Sequence, residues 1–141
     1  MNIRIANKSD LSILVHYDKH ISEDELAYSM MRERILIIEE NNHLIGWLRY
    51  NLFWDNTPFM NMLYILEDYR GKRYGKVLTL FWEEQMKRLG YELVMTSTLS
   101  NEGAQHFYRK LRYTDAGSLL LPQEPLEIIF IKSINFRFFT Y

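Results

Sequence analysis

The residues best suited to chemistry crowd into one short stretch, Glu67 to Leu78, which reads EDYRGKRYGKVL. Arg70, Lys72, Arg73 and Lys76 put four positive charges into seven residues of a chain whose formal net charge is -1. Gly71 and Gly75 let the backbone turn and come close to a ligand. The stretch runs straight into an apolar-periodic segment. The first amides of a helix have no internal partner and carry the positive end of its dipole. A diphosphate suits that combination. The spacing is not a Walker motif, which needs Gly-Lys-Ser/Thr, nor a GxGxxG fingerprint. Taken alone, the stretch reads equally well as a basic helix start with a turn glycine.

Other candidates are weaker. His16 and His20 have the i, i+4 spacing of metal ligands on a helix, but no third ligand accompanies them, so exposed surface histidines are expected and no metal. His43 and His106 read as solvated. Phe107 and Tyr108 fall on the apolar stripe of a short helix, where aromatics usually belong to the core. Asn101 reads as that helix's cap. Asp55 and Glu67 are acids of loop or cap type, and such acids are normally solvated. Trp47, Tyr50, Phe53 and Trp54 follow one another along one strand and suit either the core or the wall of an acceptor pocket. The methionines read as core filler.

The elements that must position these residues follow from periodicity. Residues 2–6 alternate as a first strand. Asp10 is placed to cap the next helix, with Leu11, Leu14 and Val15 on one face. Ser22 and Glu25 form a capping-box pattern at a second helix. Two apolar runs around Glu40-Asn41-Asn42-His43 give a hairpin, its second arm running from His43 to Phe53. Thr57-Pro58 marks a loop. Residues 59–66 are nearly all apolar, as in a central strand buried on both faces. Residues 76–89 are helical, with Val77, Leu78, Phe81, Trp82, Met86 and Leu89 mostly on one side, and Gly90 ends the helix. A strand over 91–97, a helix over 101–111 and two final strands complete the order. Strands separated by helices and strands joined as hairpins together imply a mixed sheet with helices on both faces.

Composition limits the rest. With 141 residues, 48% apolar and 15% aromatic, the chain fits one well-packed domain. The near-zero net charge gives no field for nucleic acid or an anionic membrane. No apolar run approaches the roughly 20 residues that span a bilayer. The chain has no cysteine, hence no disulfide, thiolate metal site or cysteine nucleophile. A cytoplasmic protein is expected.

Arg70-Gly71-Lys72-Arg73-Tyr74-Gly75 resembles the acyl-CoA motif of the GNAT superfamily of N-acetyltransferases, Arg/Gln-x-x-Gly-x-Gly/Ala. IRIANKSDLSIL is similar to that family's opening strand and helix, EENNHLIGWLRY to its hairpin, with Gly46 in the second arm, and NEGAQHFYRKLRY to its late helix. The resemblance covers about residues 2–134. It implies a single domain over 1–134 with a tail over 135–141, built on a mixed, mostly antiparallel sheet of about seven strands flanked by about four helices. It implies that acetyl-CoA is the co-substrate and that a primary amine of a small molecule or peptide accepts the acetyl group. It places the diphosphate on residues 70–76 and the pantetheine arm on backbone near Ile65 and Leu66, beside a splayed strand over 91–97. It gives Asn101 a bond to the pantetheine amide and makes Tyr108 the general acid.

This chain departs from the family pattern at Arg73, which replaces the first glycine of Gly-x-Gly. A negative φ is expected there, because non-glycine residues at positive φ are uncommon, and Arg73 would then reach a phosphate oxygen. A positive φ would strain the loop. Many relatives also carry a glutamate early in the central strand, where this chain reads Phe59-Met60-Asn61-Met62, so the general base stays open between a nearby acid and a water chain. A CoA-binding module with little catalysis is the alternative reading. The aromatic tail NFRFFTY is expected either to extend the last strand or to pack on a second copy in a homodimer.

Overall fold

The computed structural model describes residues 1–135. Seven strands and four α-helices follow one another as β1 (Asn2–Ile5), α1 (Leu11–Tyr17), α2 (Glu23–Met31), β2 (Ile35–Glu40), β3 (His43–Phe53), β4 (Thr57–Ile65), α3 (Tyr74–Arg88), β5 (Leu93–Leu99), α4 (Ala104–Lys110), β6 (Thr114–Leu119) and β7 (Glu127–Ser133). The strands form one sheet in the order β1-β2-β3-β4-β5-β7-β6. This is the element order and mixed sheet expected from the sequence. The parallel β4–β5 ladder registers Phe59 with Met95 and Met60 with Thr96. β4 itself runs on to Ile65 and β5 to Leu99.

The chain divides into two compact units. The first holds Met1–Asn51 and Met62–Leu80. Its core gathers Leu14, Leu26, Met30, Ile35, Ile37 and Trp47, with Met62 and Leu66 packed against them. The β2–β3 hairpin turns through Asn41 and Asn42, whose φ of 52° and 64° fit the two left-handed positions of a type I′ turn. The register slips between Ile38–Gly46 and Glu39–Leu44, leaving Ile45 as a bulge residue. Its carbonyl accepts the Leu66 amide at 2.8 Å. Gly46 allows this approach, because a Cβ there would sit 2.3 Å from the Tyr64 carbonyl oxygen. The α1 end is tied to β3 through Asp18, whose Oδ2 accepts from Arg49 Nε at 3.0 Å and Trp47 Nε1 at 3.2 Å.

The second unit holds Leu52–Asn61 and the chain from Phe81 onward. β7 lies between β5 and β6, antiparallel to both. Trp82, Val94, Tyr113 and Phe130 are nearly or fully buried.

Several local expectations change. Asp10 makes no cap for α1. A 3-10 turn over Lys8–Asp10 precedes that helix, Asn7 caps the turn, and the Asp10 carboxylate takes two bonds from Arg4. Ser22 does cap α2, accepting the Glu25 amide. Thr57 and Pro58 belong to β4, and the turn before them is made by residues 54–56. β4 is not buried on both faces, since Asn61 and Tyr64 are exposed. α3 begins at Tyr74, earlier than expected, and buries Leu78, Thr79, Trp82, Glu83 and Met86. Phe81 and Leu89 are exposed because they fall off that stripe. Within the expected tail over 135–141, only Asn135 is a described residue; 136–141 lie outside.

Candidate functional site

The first unit supplies the basic loop. β4 ends at Ile65, and a 3-10 turn over Glu67–Tyr69 carries the chain to Arg70. Gly71 has φ +75° with open space where a Cβ would stand, so it is glycine for its conformation rather than for room. Arg73 follows at φ +70°. The expected negative φ is therefore wrong. The chain must reverse from the 3-10 turn into α3 within four residues, and it does so through two left-handed positions. For a side chain with a Cβ, that conformation costs roughly 1–2 kcal/mol.

The first i→i−4 bond of α3 runs from the Val77 amide to the Arg73 carbonyl at 3.0 Å. The amides of Tyr74, Gly75 and Lys76 precede it and have no intrahelical partner. Lys72, Arg73 and Lys76 are exposed and form no ion pair among the described residues. Arg70 differs. Its Nε donates to the Ile65 carbonyl at 2.8 Å, and its guanidinium lies 5.0 Å from the Tyr64 ring centre. Arg70 thus braces the loop against β4. Of the two residues expected to hold a pantetheine arm, Leu66 has its amide engaged by Ile45, and Ile65 has its carbonyl engaged by Arg70.

The second unit holds Tyr108, which is 7% exposed on α4. Its ring packs at 5.6 Å from Tyr113 and 6.0 Å from Phe130. Burial pushes its phenol up to about 12; the Thr96 hydroxyl hydrogen-bonds it and opposes the rise, and the Glu102 charge adds to it. The phenol is therefore protonated at neutral pH, as a proton donor must be. Thr96 is 1% exposed, and its Oγ1 donates to the Met60 carbonyl at 3.0 Å.

Asn101 does not cap α4. The helix starts at Ala104 with Gly103 as its N-cap, and Asn101 sits exposed in the preceding turn with no partner among the described residues. His16 and His20 do not share a helical face, because α1 ends at Tyr17. No cluster of metal-ligating residues occurs among the described residues. Trp47 is a core residue, whereas Trp54 is 79% exposed in the β3–β4 turn.

Sequence reasoning missed a buried polar group beside Tyr108. Glu83 accepts from the Tyr113 hydroxyl at 2.8 Å and from Lys132 Nζ at 2.6 Å. Burial, followed by the Glu83 charge, pushes the Tyr113 phenol well above its ordinary range. One signal was available: Glu83 stands four residues after Thr79 and three before Met86, on the buried stripe of α3.

The model of the acetyltransferase (GNAT) family matches residues 6–113. No curated protein matches the chain in sequence. Among solved structures, it is similar to PaiA N-acetyltransferase from Thermoplasma acidophilum in complex with coenzyme A, at 19% identity and TM-score 0.78, covering 94% of this chain and 98% of that one. It is similar to an N-acetyltransferase from Staphylococcus aureus Mu50, at 22% identity and TM-score 0.78, over 95% and 98% of the two chains. The ribosomal-protein-S18-alanine N-acetyltransferase from Escherichia coli has 17% identity and TM-score 0.77, over 94% and 93%. At these identities, the likeness is one of fold.

Proposed function

The chain belongs to the GNAT acetyltransferase family, and from that premise we propose that it transfers the acetyl group of acetyl-CoA directly to a primary amine. The observation that carries this reading is the loop Arg70–Lys76. It joins three helix-start amides to three unpaired cations, a donor set that fits a diphosphate. Gly71, Lys72, Arg73, Tyr74, Gly75 and Lys76 are assigned to the diphosphate, with Arg70 bracing them. Ile65 and Leu66 are assigned to the pantetheine arm through the backbone groups that Ile45 and Arg70 leave free, and Asn101 to the pantetheine amide.

Transfer forms a nitrogen–carbon bond at the thioester and breaks the carbon–sulfur bond, with its electron pair going to sulfur. Tyr108 supplies the proton that sulfur takes up. The acceptor amine loses its proton to a nearby acid or to water, since β4 (TPFMNMLYI) itself has no carboxylate to act as base. The chain has no cysteine to hold the acetyl group, which supports direct transfer. A small-molecule amine and a peptide amine both suit the reading. The likeness to the S18-alanine enzyme supports the second, and the likeness to PaiA with coenzyme A supports the choice of donor. We assign residues 1–134 as one catalytic domain acting in the cytoplasm.

The absent carboxylate and the left-handed Arg73 favour a second reading, a CoA-binding module with weak catalysis. An acetyl-CoA thermal-shift titration followed by thiol release over an amine panel separates the two. Stabilisation with turnover supports the enzyme, and stabilisation without turnover supports the module. No stabilisation removes both.

A further inference from the structure

Arg49 lies in the interior of β3, two positions after the fully buried Trp47. Side chains two apart on a strand share a face. For this pair it is the face packed by Leu14 of α1 and Leu26 of α2. Asp18 receives both side chains. Its Oδ2 accepts from Arg49 Nε at 3.0 Å and from Trp47 Nε1 at 3.2 Å, while its Oδ1 accepts the His20 amide at 3.2 Å. A guanidinium has further donors on its two Nη atoms, and those of Arg49 have no partner among the described residues. The Asp18 side chain is 0% exposed, whereas that of Arg49 keeps 8%. The pair is therefore reached from the Arg49 side, with the carboxylate behind the guanidinium.

Charge decides what this fork can hold. Asp18 already offsets the positive charge of Arg49. A second carboxylate would leave a net negative charge at a side chain more than nine-tenths buried, with a high cost of desolvation. A neutral carbonyl oxygen adds no charge and offers two lone pairs to the N–H donors. Left without any acceptor, donors this deeply buried are themselves costly. Place points the same way. The Trp47 ring stacks on the Tyr64 ring at 4.9 Å, and the Arg70 guanidinium lies 5.0 Å from the centre of that same Tyr64 ring. Arg49 is thus two residues along β3 from a contact with the end of β4, which leads to Leu66 and the basic loop. Tyr17, with its ring 6.2 Å from Trp47, and Tyr64 are both exposed, so open aromatic surface stands beside Trp47.

We propose that Arg49 is a specificity-determining residue, whose two Nη atoms take a backbone carbonyl oxygen of the acceptor and so select peptide amines over simple ones. The proposal rests on the reading of the chain as an acetyltransferase, and it chooses between the two acceptor classes that this reading allows. Asp18 fixes the guanidinium through Nε and leaves the Nη edge to the ligand. A carbonyl held by a fixed fork orients the amine attached to it, which is worth rate as well as affinity. The contact involves no proton transfer, because the guanidinium stays charged throughout. A lysine ammonium would keep the charge beside Asp18 but not the planar fork.

The test measures thiol release from acetyl-CoA with three acceptors: alanylalaninamide, which has neutral carbonyls, alanine, which has a carboxylate, and isopropylamine, which has neither. Wild type should prefer the dipeptide amide to isopropylamine by about thirtyfold in kcat/KM, with alanine no better than isopropylamine. In Arg49→Lys the preference for the dipeptide amide should fall below about threefold. A preference unchanged in Arg49→Lys, or alanine as the best acceptor, overturns the proposal. A second readout needs neither turnover nor a variant. In calorimetry with CoA present, wild type should bind N-acetylalanylalaninamide about thirtyfold more tightly than N-isopropylacetamide, and N-acetylalanine no more tightly than the latter. Equal affinities for the three overturn the proposal, even where Arg49→Lys fails to fold. The expected binding preference in a protein that releases no thiol with any amine overturns the transfer reading and upholds the carbonyl site.

Discussion

The Arg70 guanidinium lies 5.0 Å from the centre of the Tyr64 ring while its Nε donates to the Ile65 carbonyl. The first charge of the basic loop is thus turned back onto β4, and the three that follow stay exposed. One arginine shapes the loop, and the remaining cations are left for an anion.

Arg70→Lys keeps the charge and loses both the Nε bond and the guanidinium's place over the Tyr64 ring. Acetyl-CoA affinity should fall about five- to tenfold, measured by calorimetry. Lys72→Arg, which alters no bond in the structure, should leave it within about twofold. Equal affinities for wild type and Arg70→Lys would mean that Arg70 does not shape the site.

Arg73 holds a conformation that suits glycine better. Arg73→Gly should raise stability by about 0.5–1 kcal/mol in urea unfolding, the relief of left-handed strain less the extra chain entropy of glycine. A destabilised variant would show that the side chain makes contacts outweighing its strain.

Much of this was legible from the sequence. The hairpin at Asn41-Asn42, the span of β3 and the element order follow from local rules, because turn chemistry and apolar period agree there. The Arg73 conformation was not legible, since φ at one loop position is fixed by where β4 ends and α3 begins. Asn101 was misplaced as a cap because α4 starts later than its sequence pattern. The Glu83–Tyr113–Lys132 group joins residues 30 and 49 positions apart, a pairing that no local pattern reports.

Gly46→Ala should cost about 2–3 kcal/mol in the same unfolding measurement. Its Cβ would fall 2.3 Å from the Tyr64 carbonyl, and the backbone would have to move to admit it. Unchanged stability would mean that β3 does not approach β4 this closely.

Alkaline stability should depend on Tyr108. Its phenol titrates at about 12 in the folded chain, above the ordinary 10.0. The unfolded chain therefore releases this proton first as pH rises. The Tyr108 contribution is complete below pH 10 and is lost between about pH 10 and 12. Tyr113, also raised, acts in the same direction. Tyr108→Phe should unfold with a shallower alkaline decline. An unchanged decline would place the phenol in solvent.

The central claim is that Tyr108 donates the proton in an acetyl-CoA-dependent transfer. Thiol release from acetyl-CoA, with the best amine of an acceptor panel, compares wild type with Tyr108→Phe while calorimetry follows acetyl-CoA binding. Turnover should fall about a hundredfold in Tyr108→Phe with affinity unchanged. Turnover equal to wild type would contradict it.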